Sequence, residues 1–158
     1  MTTLRHTIAP ALFALAVGTT GPGIATAEDG KVYPGALCEK ELGVFSYAAG
    51  QIRNNSNSGS LTVSCPIVRD AVSGGVNDAY VRAYSAHSSG VWCQLHTRST
   101  YGTAGFLQGK SAGGTGYKGL SYASMSDYNG GFYYFWCAVP PSNGATKSRI
   151  IAYRMDEK

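Results

Sequence analysis

The residues in this sequence best suited to chemistry are aromatic. Gly131 to Val139 reads GFYYFWCAV, and a second tryptophan, Trp92, stands in the stretch VWCQL. Flat rings with polar edges suit a ligand that is apolar on one side and wet on the other, such as a sugar ring. If 131–139 is a strand, alternate side chains leave its opposite faces. Phe132, Tyr134 and Trp136 then share one face, while Tyr133, Phe135, Cys137 and Val139 share the other. The same parity in 91–98 sets Trp92, Gln94, His96 and Arg98 against Val91, Cys93, Leu95 and Thr97. Should Cys93 pair with Cys137, both cysteines point into one interior, and Trp92, Trp136, Phe132 and Tyr134 gather on the far side. A one-residue slip would flip every side chain, so this grouping is tightly conditioned on register. These four aromatics are the candidate ligand-binding residues. Their competing fate is burial beneath the segment 99–116 or a partner subunit.

Residue types that do catalysis are sparse. Beyond the N-terminal segment the histidines are His87 and His96, and neither sits in a familiar motif. The Gly-x-Ser-x-Gly motif of a nucleophilic serine is not expected around any serine, and paired cysteines would leave no thiolate. Asp70, Asp78 and Asp127 could in principle supply the two carboxylates of a glycoside hydrolase. Each stands beside turn residues, where aspartate ordinarily serves the backbone. The stretch 126–130 (SDYNG) offers one acid, too few for calcium. The reading is therefore a protein that binds rather than catalyses, with no cofactor and no metal.

The four cysteines, Cys38, Cys65, Cys93 and Cys137, are an even set with no close Cys-x-x-Cys pair of the kind zinc sites use. In an exported chain they read as two disulfides. Three pairings exist. Cys38–Cys65 with Cys93–Cys137 is favoured because each bridge then ties neighbouring segments in chain order.

Strands must position these residues. Charged residues are few, whereas Gly, Ser and Tyr abound, a composition that favours strands and turns over long helices. Period-2 alternation marks 79–86, 91–98 and 151–156, and 43–53 and 61–65 are further strand candidates. Between them lie the polar turn 54–60 (NNSNSGS), the glycine-bearing turns 113–116, 129–131 and 142–144, and His87 to Gly90, which could close a hairpin between 79–86 and 91–98. The stretch 99–116 reads as a long loop with a weak strand. Seven or eight short strands spaced this way predict an all-β fold, an antiparallel, jelly-roll-like sandwich in one domain over 28–158. Arg69 and Asp70, adjacent on a strand, would point to opposite faces and find partners elsewhere. Asn54-Asn55-Ser56 formally matches a glycosylation sequon and reads as a turn.

The N-terminus carries Arg5, then an apolar run of about ten residues from Ile8 to Val17, then Ala25-Thr26-Ala27. A positive start, a short apolar centre and a small-x-small exit are the parts of a secretory signal, with cleavage expected near Ala27. The run falls well short of the roughly 20 apolar residues a membrane span needs. The expected setting is secreted or periplasmic, with no membrane span left after cleavage. The basic residues are scattered along the chain, in contrast to the clustered basic face of nucleic-acid binders, so nucleic acid is not an expected partner.

Val32-Tyr33-Pro34-Gly35 leading to Cys38, then Cys65-Pro66-Ile67-Val68-Arg69-Asp70, resembles a group of small exported bacterial proteins of unassigned activity. The likeness runs on through Val91-Trp92-Cys93-Gln94-Leu95, Cys137-Ala138-Val139-Pro140-Pro141 and Ser148-Arg149-Ile150. It implies export, two disulfides and a sandwich-like fold, and brings no site residues with it. The expected function is a secreted binding domain taking a polysaccharide or a cell-envelope component through the aromatic face. The alternative is a structural or protein-interaction component of the envelope or extracellular matrix.

Overall fold

A computed structural model describes residues 30–158 apart from 71–73, 103–104 and 128–129. The expected signal peptide, 1–27, lies outside the described residues, as do Tyr128 and Asn129 of the weak calcium candidate. The described chain forms eleven strands and one short 3-10 turn: β1 (Lys31–Pro34), the turn Gly35–Leu37, β2 (Glu39–Leu42), β3 (Phe45–Ala48), β4 (Gln51–Asn54), β5 (Leu61–Ile67), β6 (Val76–Ser85), β7 (Val91–Arg98), β8 (Gly105–Ala112), β9 (Gly116–Tyr122), β10 (Phe132–Val139) and β11 (Arg149–Glu157). They pair as two antiparallel sheets. One runs β3-β4-β11-β6-β9, with β1 beside β11; the other runs β2-β5-β10-β7-β8.

The two sheets face each other through the inward half of each alternation. Val81, Ala83, Ile150, Tyr153 and Met155 from the first meet Leu61, Val63, Leu95, Tyr133 and Phe135 from the second, all buried. Aromatic contacts cross the gap: Phe135 lies 5.2 Å from Tyr122 and 5.9 Å from Tyr153. The buried tyrosines are anchored at their polar ends. The Tyr122 hydroxyl donates to the Cys93 carbonyl (3.0 Å) and the Tyr153 hydroxyl to that of Pro66 (2.8 Å). Burial raises the pKa of both phenols above the ordinary value, so they remain neutral donors. Both disulfides are those favoured by chain order, Cys38–Cys65 and Cys93–Cys137, and both join strands or flanks of the five-stranded sheet.

Eleven strands rather than seven or eight arise because short segments near the N-terminus carry too little alternation to announce themselves. The expected strand over 43–53 is a hairpin instead. Ala49 and Gly50, both with positive φ (51° and 72°), turn the chain between β3 and β4. His87 to Gly90 does not close a hairpin: β6 and β7 lie in different sheets, so this segment arches across the sandwich. Alternation cannot tell a strand that pairs with its predecessor from one that faces it. The expected loop at 99–116 holds the eight-residue edge strand β8, paired along the whole of β7.

Asn54 ties the layers at one end. It is fully buried, and its amide nitrogen donates to the carbonyls of Gly59 (2.8 Å), Pro140 (2.9 Å) and Val139 (3.2 Å) while its oxygen accepts from the Ser56 N–H (2.9 Å). The sequon asparagine is thus a structural clamp whose amide is fully engaged. Replacing Asn54 with Ala strands several buried carbonyls, each costing about 1–3 kcal/mol. The variant is expected to lose about 2–4 kcal/mol of unfolding free energy in urea titration, against well under 1 kcal/mol for Asn55→Ala on the same turn.

Candidate functional site

The outward half of the five-stranded sheet carries the candidate aromatics. β10 pairs with β7 so that Cys137 opposes Cys93, Trp136 opposes Gln94, Tyr134 opposes His96 and Phe132 opposes Arg98. With both cysteines inward, Phe132, Tyr134 and Trp136 run down the solvent side of β10, and Trp92 joins them from β7. Trp92 meets Trp136 edge-to-face, with ring centroids 5.3 Å apart. Phe132 and Tyr134 follow at 6.1 Å. None of the four is fully buried: Phe132 is exposed and Trp92, Tyr134 and Trp136 are half-buried, while β8 pairs beside β7 in the same sheet.

Polar groups line the aromatic row on both sides. A groove of about 350 Å³ lies on the β7 side, bounded by Trp92, Gln94, His96, Tyr134 and Trp136. A second, of about 600 Å³, reaches from Glu41, Ser64 and Pro66 on the β5 side past Phe132 and Tyr134 to Arg98 at the end of β7. Tyr134 belongs to both, so the row is a ridge with a trough on each flank. The ridge is held in place by polar contacts. A bulge in β2 between Lys40 and Leu42 brings Glu41 over the sheet, where its Oε2 accepts from the Trp136 indole N–H at 2.6 Å.

Sequence reasoning assigns no binding role to Glu41 or His96. His96 shares its parity with Trp92, so alternation contains that signal. Glu41 arrives through a bulge, which no spacing rule in the sequence reveals. The His96 ring stacks on Tyr134 at 4.7 Å and 7°. Its Nε2 lies 3.3 Å from the Gln94 Oε1 and its Nδ1 3.4 Å from the Arg98 guanidinium. Only the neutral ring with its proton on Nε2 satisfies both neighbours, because arginine has no acceptor to offer. Burial, and then the Arg98 charge, lowers the His96 pKa in agreement with that tautomer.

Each of the carboxylates considered for hydrolysis pairs with a different basic residue. Asp70 pairs with Lys31, and Asp78 lies 3.7 Å from Arg154 on the other sheet. Asp127 pairs with Arg69 and accepts from the Tyr133 hydroxyl (3.0 Å). Arg69 also donates to the Gly131 carbonyl (3.1 Å) and lies over the Tyr133 ring (5.0 Å), so Arg69 and Asp70 do find separate partners. His87 bonds to Ser89 in the arch between the sheets. Contrary to the expectation that no serine carries the motif, 109–113 (GKSAG) fits a bare Gly-x-Ser-x-Gly pattern. It ends the flat edge strand β8, with Ser111 opposite Trp92, rather than forming the sharp strand-to-helix turn that exposes a nucleophile. Among the described residues no three His, Cys, Asp or Glu side chains converge as a metal site.

No protein-family model matches the chain, and no curated protein sequence matches it. Solved structures with a similar strand arrangement include the CBM36-1 domain of a multidomain xylanase from the hindgut metagenome of Trinervitermes trinervoides (11% identity, 82% of this chain and 98% of that one, TM-score 0.49). The low-affinity xylan-binding module CBM86 of Roseburia intestinalis is similar at 12% identity, over 82% of this chain and 96% of that one, with a TM-score of 0.49. A family 35 carbohydrate-binding module from Clostridium thermocellum gives 12% identity, 84% and 95% coverage, and a TM-score of 0.40. Likeness at this level concerns strand arrangement and places none of their residues on this chain.

The lowered His96 pKa sets a direction for stability. In the unfolded chain the ring titrates near the ordinary value of about 6.5. The folded state resists protonation, so the contribution is fully present above that value and is lost as pH falls from it toward the folded pKa. The melting temperature is expected to fall further between pH 7.5 and pH 5 in the wild type than in His96→Gln. Equal falls in the two proteins would contradict the assignment.

Proposed function

We propose that this protein is a non-catalytic carbohydrate-binding domain, and that the outer face of the five-stranded sheet receives a polysaccharide chain. The aromatic row carries this reading. Phe132, Tyr134 and Trp136 stand two residues apart on one strand, giving a run of rings that a linear glycan can follow, with one face of Tyr134 taken by His96. Gln94, Ser64, Arg98 and Glu41 border the row as hydrogen-bonding partners for sugar hydroxyls. Such a face resembles the sites where a ligand rests on apolar surface while a few placed polar groups orient it. The bond from Trp136 to Glu41 and the stack of His96 on Tyr134 fix the rings beforehand, which limits the ordering entropy that binding must overcome.

The proposed setting is outside the cytoplasm, secreted or periplasmic after cleavage near Ala27. The two disulfides support it, because such bridges persist in oxidising compartments. Among the described residues no helix is long and apolar enough to cross a membrane. A protein partner in the envelope is the competing occupant of the same face.

Isothermal titration against neutral polysaccharides (xylan, β-glucan, mannan and galactan) tests the reading. One class is expected to bind, and Trp136→Ala or Trp92→Ala is expected to weaken it roughly tenfold or more, consistent with about 1.4 kcal/mol or more per ring. Asp127 and Arg69 lie off this face, so Asp127→Asn should leave affinity unchanged even where it lowers the melting temperature. Failure of every neutral glycan, or binding indifferent to both tryptophans, would leave the face to a protein partner.

A further inference from the structure

The opposite outer face, that of the six-stranded sheet, is chemically different. Basic residues that are scattered in sequence meet there through strand register. Arg53 of β4 is directly opposite Arg149 of β11, Arg149 is opposite Tyr84 of β6, and Tyr84 is opposite Tyr117 of β9. This transverse row, begun by Ser46 on β3, crosses five strands, roughly 19 Å at the usual strand spacing. Arg82 and Arg154 lie beside it on β6 and β11. Carboxylates stand at the far end of these strands: Asp78, six residues along β6 from Tyr84, lies against Arg154, and Asp156 of β11 is its register partner.

Like charges directly opposite each other destabilise a sheet. Arg53 and Arg149 nevertheless face each other, and neither has an ion-pair partner among the described residues. The Nε donors of both and the Oε1 of the adjacent Gln51 also lack hydrogen-bond partners among those residues. The aromatics here serve to hold guanidinium groups in place. Arg149 lies over the Tyr84 ring at 4.4 Å and Arg82 over Tyr80 at 5.9 Å, while Tyr117 braces Tyr84 edge-to-face at 5.2 Å. Gly119 makes room for this: a Cβ there would meet the Tyr80 hydroxyl at 2.3 Å, so only glycine lets Tyr80 lie across β9. A groove of about 570 Å³ results, lined by Tyr80, Arg82, Tyr117, Lys118, Gly119 and Arg149.

We propose that this face is a second binding site, one that takes the carboxylate groups of an acidic, uronate-bearing polysaccharide. Arginine's planar fork matches a carboxylate in two parallel hydrogen bonds, and two of the guanidiniums here, those of Arg149 and Arg82, are already positioned over aromatic rings. Single-stranded nucleic acid would need open ring faces for its bases to stack on. The rings of Tyr84 and Tyr80 are instead covered by arginine, which leaves the exposed Tyr117 as the one tyrosine of the groove whose ring a base could stack on. The choice of a glycan among polyanions rests on the carbohydrate-binding reading of the other face. The two sites are nonetheless separable, because both tryptophans lie on that other face.

The test is titration of the full chain with oligogalacturonate of about ten units at low salt, alongside its fully methyl-esterified form, which has the same backbone without the charge. Binding is expected for the acid and not the ester, weakened tenfold or more in Arg53→Gln/Arg149→Gln and unchanged in Trp136→Ala. Tryptophan emission should not respond. The double variant removes two like charges set opposite each other in register but also the Arg149–Tyr84 stack and the Arg149 bond to the Lys147 carbonyl, so its melting temperature should stay close to that of the wild type. The proposal is overturned by absence of binding at millimolar ligand, by equal binding of the ester, by binding that survives the double variant, or by binding lost in Trp136→Ala. Tighter binding of polyphosphate or oligo-dT than of oligogalacturonate would also overturn it. Loss of neutral-glycan binding on the aromatic face would leave this site standing as a charge-dependent one.

Discussion

The pairing of Cys137 with Cys93 is the constraint on which the rest of the molecule depends. The two residues are direct partners across β10 and β7, and the bridge between them locks the register of the two central strands of their sheet. Because side chains alternate with a period of two, fixing one pair fixes both faces. Inward go Tyr133, Phe135, Leu95 and Val91, which meet the other sheet. Outward go Trp136, Tyr134, Phe132 and Trp92. The core and the proposed site are therefore two consequences of one register, and neither can slip without exchanging roles with the other.

Polar groups confine that arrangement. The phenols of Tyr122 and Tyr153 cross the core to carbonyls on the facing sheet, so the layers are fixed along the strands as well as pressed together. Arg69 does similar work at one end, drawing Asp127, the Gly131 carbonyl and the Tyr133 ring onto one guanidinium just before β10 begins. Burial, with the hydrogen bond to Asp127 next in importance, raises the Tyr133 pKa above its ordinary value and keeps that phenol a donor. At the other end Asn54 gathers the carbonyls of Val139, the last residue of β10, and of Pro140 just after it. The strand carrying the aromatic row is thus pinned at its middle and at both ends.

The sequence was most readable where a long strand alternates cleanly. In β7 and β10 the parity of eight residues, together with the Cys93–Cys137 pairing, grouped Trp92, Trp136, Phe132 and Tyr134, and the same parity contained His96. It was least readable where structure depends on what a strand pairs with. β6 and β7 alternate as well as any hairpin, yet they face each other across the core. The four-residue strands β1 to β4 are too short for a period to show. Glu41 reaches Trp136 through a bulge, and the arginines of the opposite face come from three strands separated by long stretches of chain. Scattered charge in the sequence became a basic row only through non-local register.

The outer faces of the two sheets accordingly differ in chemistry, one an aromatic ridge with polar flanks and the other a set of guanidiniums, two of them held over tyrosines. The central claim, that the aromatic ridge is an open ligand-binding surface, is most directly tested by acrylamide quenching of tryptophan emission. The chain contains two tryptophans, both on that ridge. The account predicts red-shifted, readily quenched emission from the free protein, and protection from quenching by one class of neutral polysaccharide. Blue-shifted emission, shielded from acrylamide in dilute protein and indifferent to every glycan, would contradict it.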